Sequence, residues 1–315
     1  MRLVGDVGGT NARFALVDDG GGAPVRERVM HCADHPDLGA AITRYLDDEG
    51  RPDVREAAVA VATAVTGDHV KLTNNPWSFS IEGTRRALFL DRLLLVNDFT
   101  ALALSLPLLS PAEVRQVGGG TALAGAPIGL IGAGTGLGVS GLLPSGGGWV
   151  PLEGEGGHTA FSPTTPRQCD VLRRLLERYD HVSTERIASG PGLLTLHETL
   201  CQLDGRVPES LTPEQIAARA DDDPHCGETV SMFCEILGAA AANLCVTLGA
   251  RGGLYIGGGI VPALGERFDR SGFRPRFESK GRFRGYVAAV PTWVITAHNP
   301  ALRGVARVFE GAARA

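Results

Sequence analysis

The chain twice repeats one arrangement of apolar runs around a glycine turn. Residues 2–7 and 12–17 are apolar runs joined at Gly8-Gly9-Thr10, a spacing that predicts a β-hairpin. Residues 128–131 and 137–143 are apolar runs joined at Gly132-Ala133-Gly134-Thr135-Gly136. Aligning Thr10 with Thr135, an offset of 125, superposes Gly9 on Gly134 together with the flanking runs, so the chain reads as internally duplicated. After the first hairpin, Leu38, Ala41, Ile42, Tyr45 and Leu46 recur at helical spacing and predict a helix over 37–48, followed by a buried strand at 57–63. Short strands at 69–73 and 79–81 flank Asn74-Asn75-Pro76-Trp77, and a strand at 92–96 runs through Asn97-Asp98 into a helix over 99–106. Pro107 and Pro111 punctuate the end of this half.

In the second half, helical periods cover 167–179, 191–203, 213–220 and 227–249, with Thr212 and Gln215 placed as a capping box. A strand at 253–256 enters Gly257-Gly258-Gly259, with a helix expected from Pro262. A strand at 288–296 and a helix at 301–313 complete the pattern. Alternating strands and helices in both halves predict an α/β protein of two related domains flanking a cleft.

Composition narrows the function classes. The chain has 315 residues, 43 of them glycine, roughly twice the usual share of about 7%. The glycines fall in short apolar contexts rather than Ser/Gly tracts, which favours close backbone approach to a ligand over flexible linkers. A net charge of −5 disfavours nucleic acid or an anionic membrane as the main partner. No run reaches the ~18 consecutive apolar residues of a membrane span. The apolar strand begins at residue 2, leaving no room for a signal peptide, and the six scattered cysteines fit free core thiols, so a cytoplasmic location is expected. The two lysines, Lys71 and Lys280, do not follow glycine, which removes a Walker A loop.

Several residues carry candidate chemistry. Asp6 stands beside the Gly8-Gly9-Thr10 turn, where successive backbone N–H groups suit an anion and a carboxylate suits a hydrated Mg²⁺; a hairpin with a solvated Asp is the plain alternative. Ile131 occupies the place of Asp6 in the second copy, so only one half brings a metal-binding carboxylate. Residues 136–141 match G-x-G-x-x-G, yet that fingerprint has to open a helix, and here it lies within a strand-like run, which argues against a dinucleotide site. Gly257–Gly259 would let a flat ring or phosphate lie on bare backbone, or simply close a tight strand–helix connection. Asn97-Asp98, at a strand's C-terminal end, points to the ligand crevice of an α/β sheet or else caps the next helix. Glu153, Glu155 and His158, spaced by glycines, could present several hydrogen-bond partners to a polyol; a metal site is the competing reading, with no Cys or second His near.

Taken in order, the D-x-G-G-T turn at Asp6, N-D after a strand, the second G-x-G-T-G turn, E-G-G-H, Glu185-Arg186 before Ser189-Gly190-Pro191-Gly192, and I-G-G-G-I-V-P closely resemble the bacterial ATP-dependent glucokinases of the hexokinase/actin/Hsp70 superfamily. The resemblance runs from Val4 to about Leu302 and includes 271–274 and 280–283. It implies a duplicated actin-like ATPase (ribonuclease H-like) fold, with a small domain at 1–107 completed by a helix at 301–315 and a large domain at 108–300. It implies ATP, glucose and Mg²⁺ as ligands and a homodimer. Asp98 would be the general base toward the sugar 6-hydroxyl, and Asn97, Glu155, His158 and Glu185 would bind the other hydroxyls. Asp6, Gly8, Gly9, Thr10 and Asn11 would form the first phosphate turn, with Asp6 positioning Mg²⁺. Gly132, Gly134, Thr135 and Gly136 would form the second, and Gly257, Gly258 and Gly259 the adenosine-side turn. His158 is followed by Thr159-Ala160-Phe161-Ser162-Pro163 in place of the cysteine-rich zinc motif of the related repressor/kinase branch, so no structural zinc is expected, and with the phosphate hairpin at residue 2 no N-terminal helix-turn-helix segment is expected. The alternative is a non-catalytic actin-like ATPase or sugar-sensing module, which would need both phosphate turns but not Asn97-Asp98 together with Glu155 and His158.

Overall fold

The computed structural model describes residues 1–311; residues 312–315 of the expected C-terminal segment lie outside the described residues. The chain divides into two compact units, one of Met1–Ser110, Ser145–Glu153 and the stretch from Ala297, the other of Pro111–Pro144 and Gly154–Thr296. The hairpin segment Ser145–Glu153 thus belongs with the first unit, where the sequence division put it in the second.

The first unit contains β1 (Arg2–Val7), β2 (Asn11–Val17), β3 (Val25–His31), β4 (Glu56–Val61), the two-stranded pair β5 (His69–Lys71) and β6 (Ser78–Ser80), and β7 (Arg92–Asn97). Its main sheet runs β3-β2-β1-β4-β7. β1 and β2 form the antiparallel hairpin, whereas β1, β4 and β7 are parallel and therefore require long crossovers. Strict alternation along these strands buries both faces. Leu3, Phe14, Leu16 and Val59 meet Ile42, Tyr45 and Trp77 on one side. Val4, Ala15, Ala58 and Ala60 meet Ala101, Leu302, Val305 and Phe309 on the other. The helix Pro300–Gly311 can lie this close because a Cβ on Gly304 would fall 1.7 Å from the Ala101 carbonyl oxygen.

The second unit contains β8 (Val114–Gln116), β9 (Ile128–Ala133), β10 (Leu137–Ser145, whose last residue falls in the first unit), β12 (Leu254–Gly257) and β13 (Thr292–Ile295); β10 continues through the Gly146-Gly147 turn into β11 (Gly148–Pro151). Its strands follow the order β10-β9-β12-β13-β8. The order and senses of β2-β1-β4-β7 are repeated in β10-β9-β12-β13, so the duplication is one of topology as well as sequence. The turns are not identical in length. Val7 pairs with Ala12 and leaves residues 8–11 between the two paired ends, Asn11 pairing instead with β3, whereas Ala133 pairs with Leu137 and leaves 134–136. The offset of 125 therefore holds only after the turn, and by strand position the counterpart of Asp6 is Gly132 rather than Ile131.

The helix Pro224–Leu248 is long and apolar enough to cross a membrane, but 67% of its most apolar window is buried inside the protein. Phe233, Ile236, Leu237 and Cys245 join the core beside Ile131 and Ile256. Asp223 caps its start through the His225 and Cys226 N–H groups, and Gly249 ends it at φ 67°. Two expectations change. The strand expected over 288–296 shortens to Thr292–Ile295, because Arg284–Ala288 is helical and Pro291 stands just ahead of the strand. The helix expected from Pro262 begins two residues earlier, at Ile260. The capping box at Thr212 and Gln215 is present with both reciprocal hydrogen bonds.

Candidate functional site

Two groups of candidate residues emerge, one in each unit. In the first, parallel register sets Val7 beside Val61 and Val61 beside Asn97. The first glycine turn and Asn97-Asp98 therefore leave the same C-terminal edge of one sheet, two strand spacings of about 4.8 Å apart. Gly8 N–H closes the turn on the Asn11 carbonyl at 2.9 Å. Asp6 lies opposite Arg13, whose guanidinium approaches its carboxylate at 3.8 Å. Burial pushes the Asp6 carboxyl above the usual carboxylate range, with Arg13 opposing that shift. Asn97 serves as an N-cap, its Oδ1 accepting from Phe99 N–H at 2.9 Å and from Thr100 N–H at 3.4 Å, while its Nδ2 donates to the Thr63 carbonyl at 3.4 Å. Asp98 is the first residue of the helix Asp98–Ser105 and is half-buried; its Oδ1 accepts from Phe99 N–H at 2.8 Å. The cap and the ligand readings of this dipeptide are thus divided between neighbours, Asn97 fixing the helix start and Asp98 held in a set orientation beside it.

In the second unit, Gly134 N–H bonds the Gly136 carbonyl at 2.8 Å, and Glu185 Oε2 accepts from Leu137 N–H at 2.8 Å. A Cβ on Gly136 would come within 2.6 Å of that same carboxylate oxygen. Glu185 reaches the turn because residues 157–161 and 182–185 run side by side: Glu185 N–H bonds the Gly157 carbonyl, Thr184 N–H that of Thr159, and Phe161 N–H that of Val182. The same pairing brings His158 Nε2 to 3.8 Å from Glu185 Oε1. Gly157 admits this approach, since a Cβ there would fall 2.0 Å from the Leu137 carbonyl oxygen. Glu155 is exposed and heads the short turn Gly156–His158, with His158 N–H bonded to its carbonyl at 3.0 Å. Gly190 N–H, at the start of the helix Gly190–Leu203, bonds the Gly134 carbonyl at 2.8 Å. Gly257 pairs with Gly132, and Gly258, at φ 77°, lies so close to β9 that a Cβ would sit 2.2 Å from the Ala133 carbonyl oxygen. Glu155, His158, Glu185, the 134–136 turn and the 257–259 turn are therefore linked by a chain of contacts within this unit. Glu153, by contrast, falls in the first unit.

Sequence reasoning gave no role to Asn75, which bonds Gly8 from 67 residues away, or to His181, whose Nε2 lies 2.9 Å from the His158 carbonyl oxygen. Neither contact has a local pattern that would signal it. A separate cavity of about 260 Å³, lined by Leu137, Val139, Phe161, Ile236 and Leu244 among others, has no ionisable side chain in its wall and offers no acid or base.

A cation such as Mg²⁺ suits the first turn on two observations. Asn11 Oδ1 is buried without a hydrogen-bond partner in the protein, and the buried Asp6 carboxylate would be stabilised by a cation beside it. Among the described residues no cluster of three or more His, Cys, Asp or Glu could hold a metal. A cation here would draw most of its ligands from phosphate oxygens and water, as Mg²⁺ commonly does.

Comparison with known proteins gives a consistent picture. A family model described as Glucokinase matches residues 3–312. The glucokinase of Aromatoleum aromaticum is 52% identical over 99% of this chain and 95% of its own length. The crystal structure of a glucokinase from an Antarctic psychrotroph superposes with a TM-score of 0.88 at 33% identity, covering 98% of each chain. A glucokinase of the ROK family from Streptomyces griseus, solved with glucose and AMPPNP, shares the fold at a TM-score of 0.63 and 18% identity, over 98% of each chain.

Proposed function

Because the chain belongs to the glucokinase family, we propose that it transfers the γ-phosphoryl group of ATP to the 6-hydroxyl of glucose with Asp98 as general base. Asp98 takes the hydroxyl proton, the sugar oxygen forms the new bond to phosphorus, and the bond to the departing ADP breaks. The hydrogen bond from Phe99 N–H orients the carboxylate for that transfer. Asn97, Glu155, His158 and Glu185 hold the remaining hydroxyls, and a sugar lacking one of them leaves a partner unpaired at about 1–3 kcal/mol. Residues 6–11 and 132–136 bind the phosphates through backbone N–H groups, and 257–259 accept the adenosine side. Asp6, together with the phosphates, would hold Mg²⁺, which would supply charge neutralisation, the main demand of phosphoryl transfer. An enzyme built this way has no need of a Walker lysine.

The observation that carries this reading is the shared sheet edge in the first unit, where the turn beside Asp6 and the oriented Asp98 emerge from strands in one register. The Streptomyces griseus protein, solved in complex with glucose and AMPPNP, supports the same pair of ligands. We place the reaction in the cytoplasm as an entry step to glycolysis; the six cysteines without disulfides suit a reducing compartment. The active form is proposed to be a homodimer. A coupled assay for glucose 6-phosphate, run across a panel of hexoses and phosphoryl donors, tests the reading. Turnover of glucose with ATP and Mg²⁺ is expected, and binding of both ligands with no product would establish the sugar-sensing alternative instead.

A further inference from the structure

We propose that Asn75 is a positioning residue for phosphoryl transfer, setting the direction in which the first glycine turn presents its backbone N–H group. This rests on the nucleotide role proposed above for residues 6–11. Asn75 is 7% exposed, and both ends of its amide are engaged. Oδ1 accepts from Trp77 N–H at 3.0 Å, which fixes the orientation of the amide, and Nδ2 donates to the Gly8 carbonyl at 3.2 Å. Trp77 is itself fully buried and anchored by its indole N–H to the His35 carbonyl at 2.9 Å. The donor that grips Gly8 is therefore mounted on a rigid support. The segment also lies directly on the turn, since a Cβ on Gly9 would come 2.9 Å from the Asn74 carbonyl oxygen.

The consequence follows from peptide geometry. No cis peptide bond occurs among the described residues, so the Gly8–Gly9 unit is planar and trans, and its C=O and N–H point in opposite directions. Holding the Gly8 carbonyl toward Asn75 aims the Gly9 N–H the other way. Two adjacent glycines could otherwise rotate that plane at little steric cost. Cys32 Sγ, 3.8 Å from the same carbonyl, adds only a weak second donor. Asn75 thereby acts on the nucleotide through Gly9, its own hydrogen bonds running to Gly8 and Trp77.

The test compares the full-length unmodified protein with Asn75→Asp and Asn75→Ala. The first variant keeps size and the Trp77 contact while replacing the donor by an anion that repels the Gly8 carbonyl. Thermal melting and circular dichroism identify folded variants, and KM for Mg-ATP and for glucose are measured separately. The expected result is a rise of about tenfold in KM for Mg-ATP, the weight of one hydrogen bond, with KM for glucose within twofold of the unmodified value. An unchanged KM for Mg-ATP in a folded variant, or an equal rise in both constants, overturns the proposal. If Asn75→Asp does not fold, Asn75→Ala and the weaker binding of a fluorescent ATP analogue decide the matter in the same way. An unmodified protein that makes no glucose 6-phosphate would instead overturn the proposed function, so the two failures are distinguishable.

Discussion

Glu185 Oε2 accepts a hydrogen bond from Leu137 N–H at 2.8 Å, at the point where the second glycine turn becomes β10. One carboxylate thus braces a turn assigned to phosphate while its other oxygen faces His158 at 3.8 Å. Substitution on the turn should therefore be felt by the sugar. Gly136→Ala places a methyl group 2.6 Å from the resting position of Glu185 Oε2, and the flexible carboxylate has to move. We expect KM for glucose to rise about 10- to 150-fold, the scale of a lost hydrogen bond to a charged group. Steady-state kinetics with glucose varied at saturating ATP checks this, and a change confined to KM for ATP would contradict it.

Asp98→Ala should lower kcat by about 10²–10⁴-fold, the range of a positioned general base. Asn97 keeps its cap on Phe99 and Thr100, so the helix start survives and stability should fall by less than about 1 kcal/mol. Glucose binding measured by calorimetry should persist. Near-normal turnover would remove Asp98 from the role.

Asp6 predicts a conflict between stability and activity. Its folded-state carboxyl titrates above the ordinary value of 3.8, so between those two points the folded protein holds more protons than the unfolded chain. Stability is accordingly lost as pH rises through that window and is not regained at neutral pH. Asp6→Asn should melt higher than the unmodified protein at pH 7, with the gap closing as pH falls toward 4, while Mg²⁺-dependent turnover is lost. Melting curves across pH, set beside a Mg²⁺ titration of rate, test both halves.

Gly258→Ala combines a left-handed φ of 77° with a methyl group 2.2 Å from a backbone carbonyl oxygen that has no room to retreat. The expected loss is at least about 1–2 kcal/mol from the backbone alone, visible as a lower melting temperature and weaker nucleotide binding.

Thiol labelling should single out one site. Cys169 is exposed, whereas Cys32, Cys201, Cys226, Cys234 and Cys245 are buried, and burial pushes the thiols of Cys234 and Cys245 up to about 12. Iodoacetamide on the native protein should add one label, at Cys169, as read by peptide mass spectrometry. Rapid labelling of Cys245 would show that the long core helix opens readily.

The parts of the fold that were legible in sequence are those whose signal is local. Both hairpins, the helix Leu38–Asp48 and the capping box at Thr212 declare themselves through alternation, period and turn residues within a few positions. β3 left no such mark, because Val25–His31 is an edge strand exposed on nearly every residue and interleaved with Arg26, Glu27 and Arg28. At the site, each glycine cluster and each charged candidate stood out singly, but the union of Glu185, Leu137 and His158 did not. It depends on two chain segments pairing through the Ala160–Ser183 bridge, which no periodicity announces. The one-residue difference between the two turns was likewise hidden, since an ungapped alignment of Thr10 with Thr135 absorbs it.

The first unit is interrupted in sequence, and its closing layer is the helix Pro300–Gly311 against Val4, Ala15, Ala58 and Ala60. During synthesis, then, the sheet that appears first is the last to be sealed. At about 5–20 residues per second, one apolar face of β1, β2 and β4 waits roughly 12–50 s for Leu302, Val305 and Phe309 to be synthesised. The second unit has no such debt to the end of the chain and can complete its core beforehand. The order in which the two cores are completed is thus the reverse of the order in which their first strands are translated.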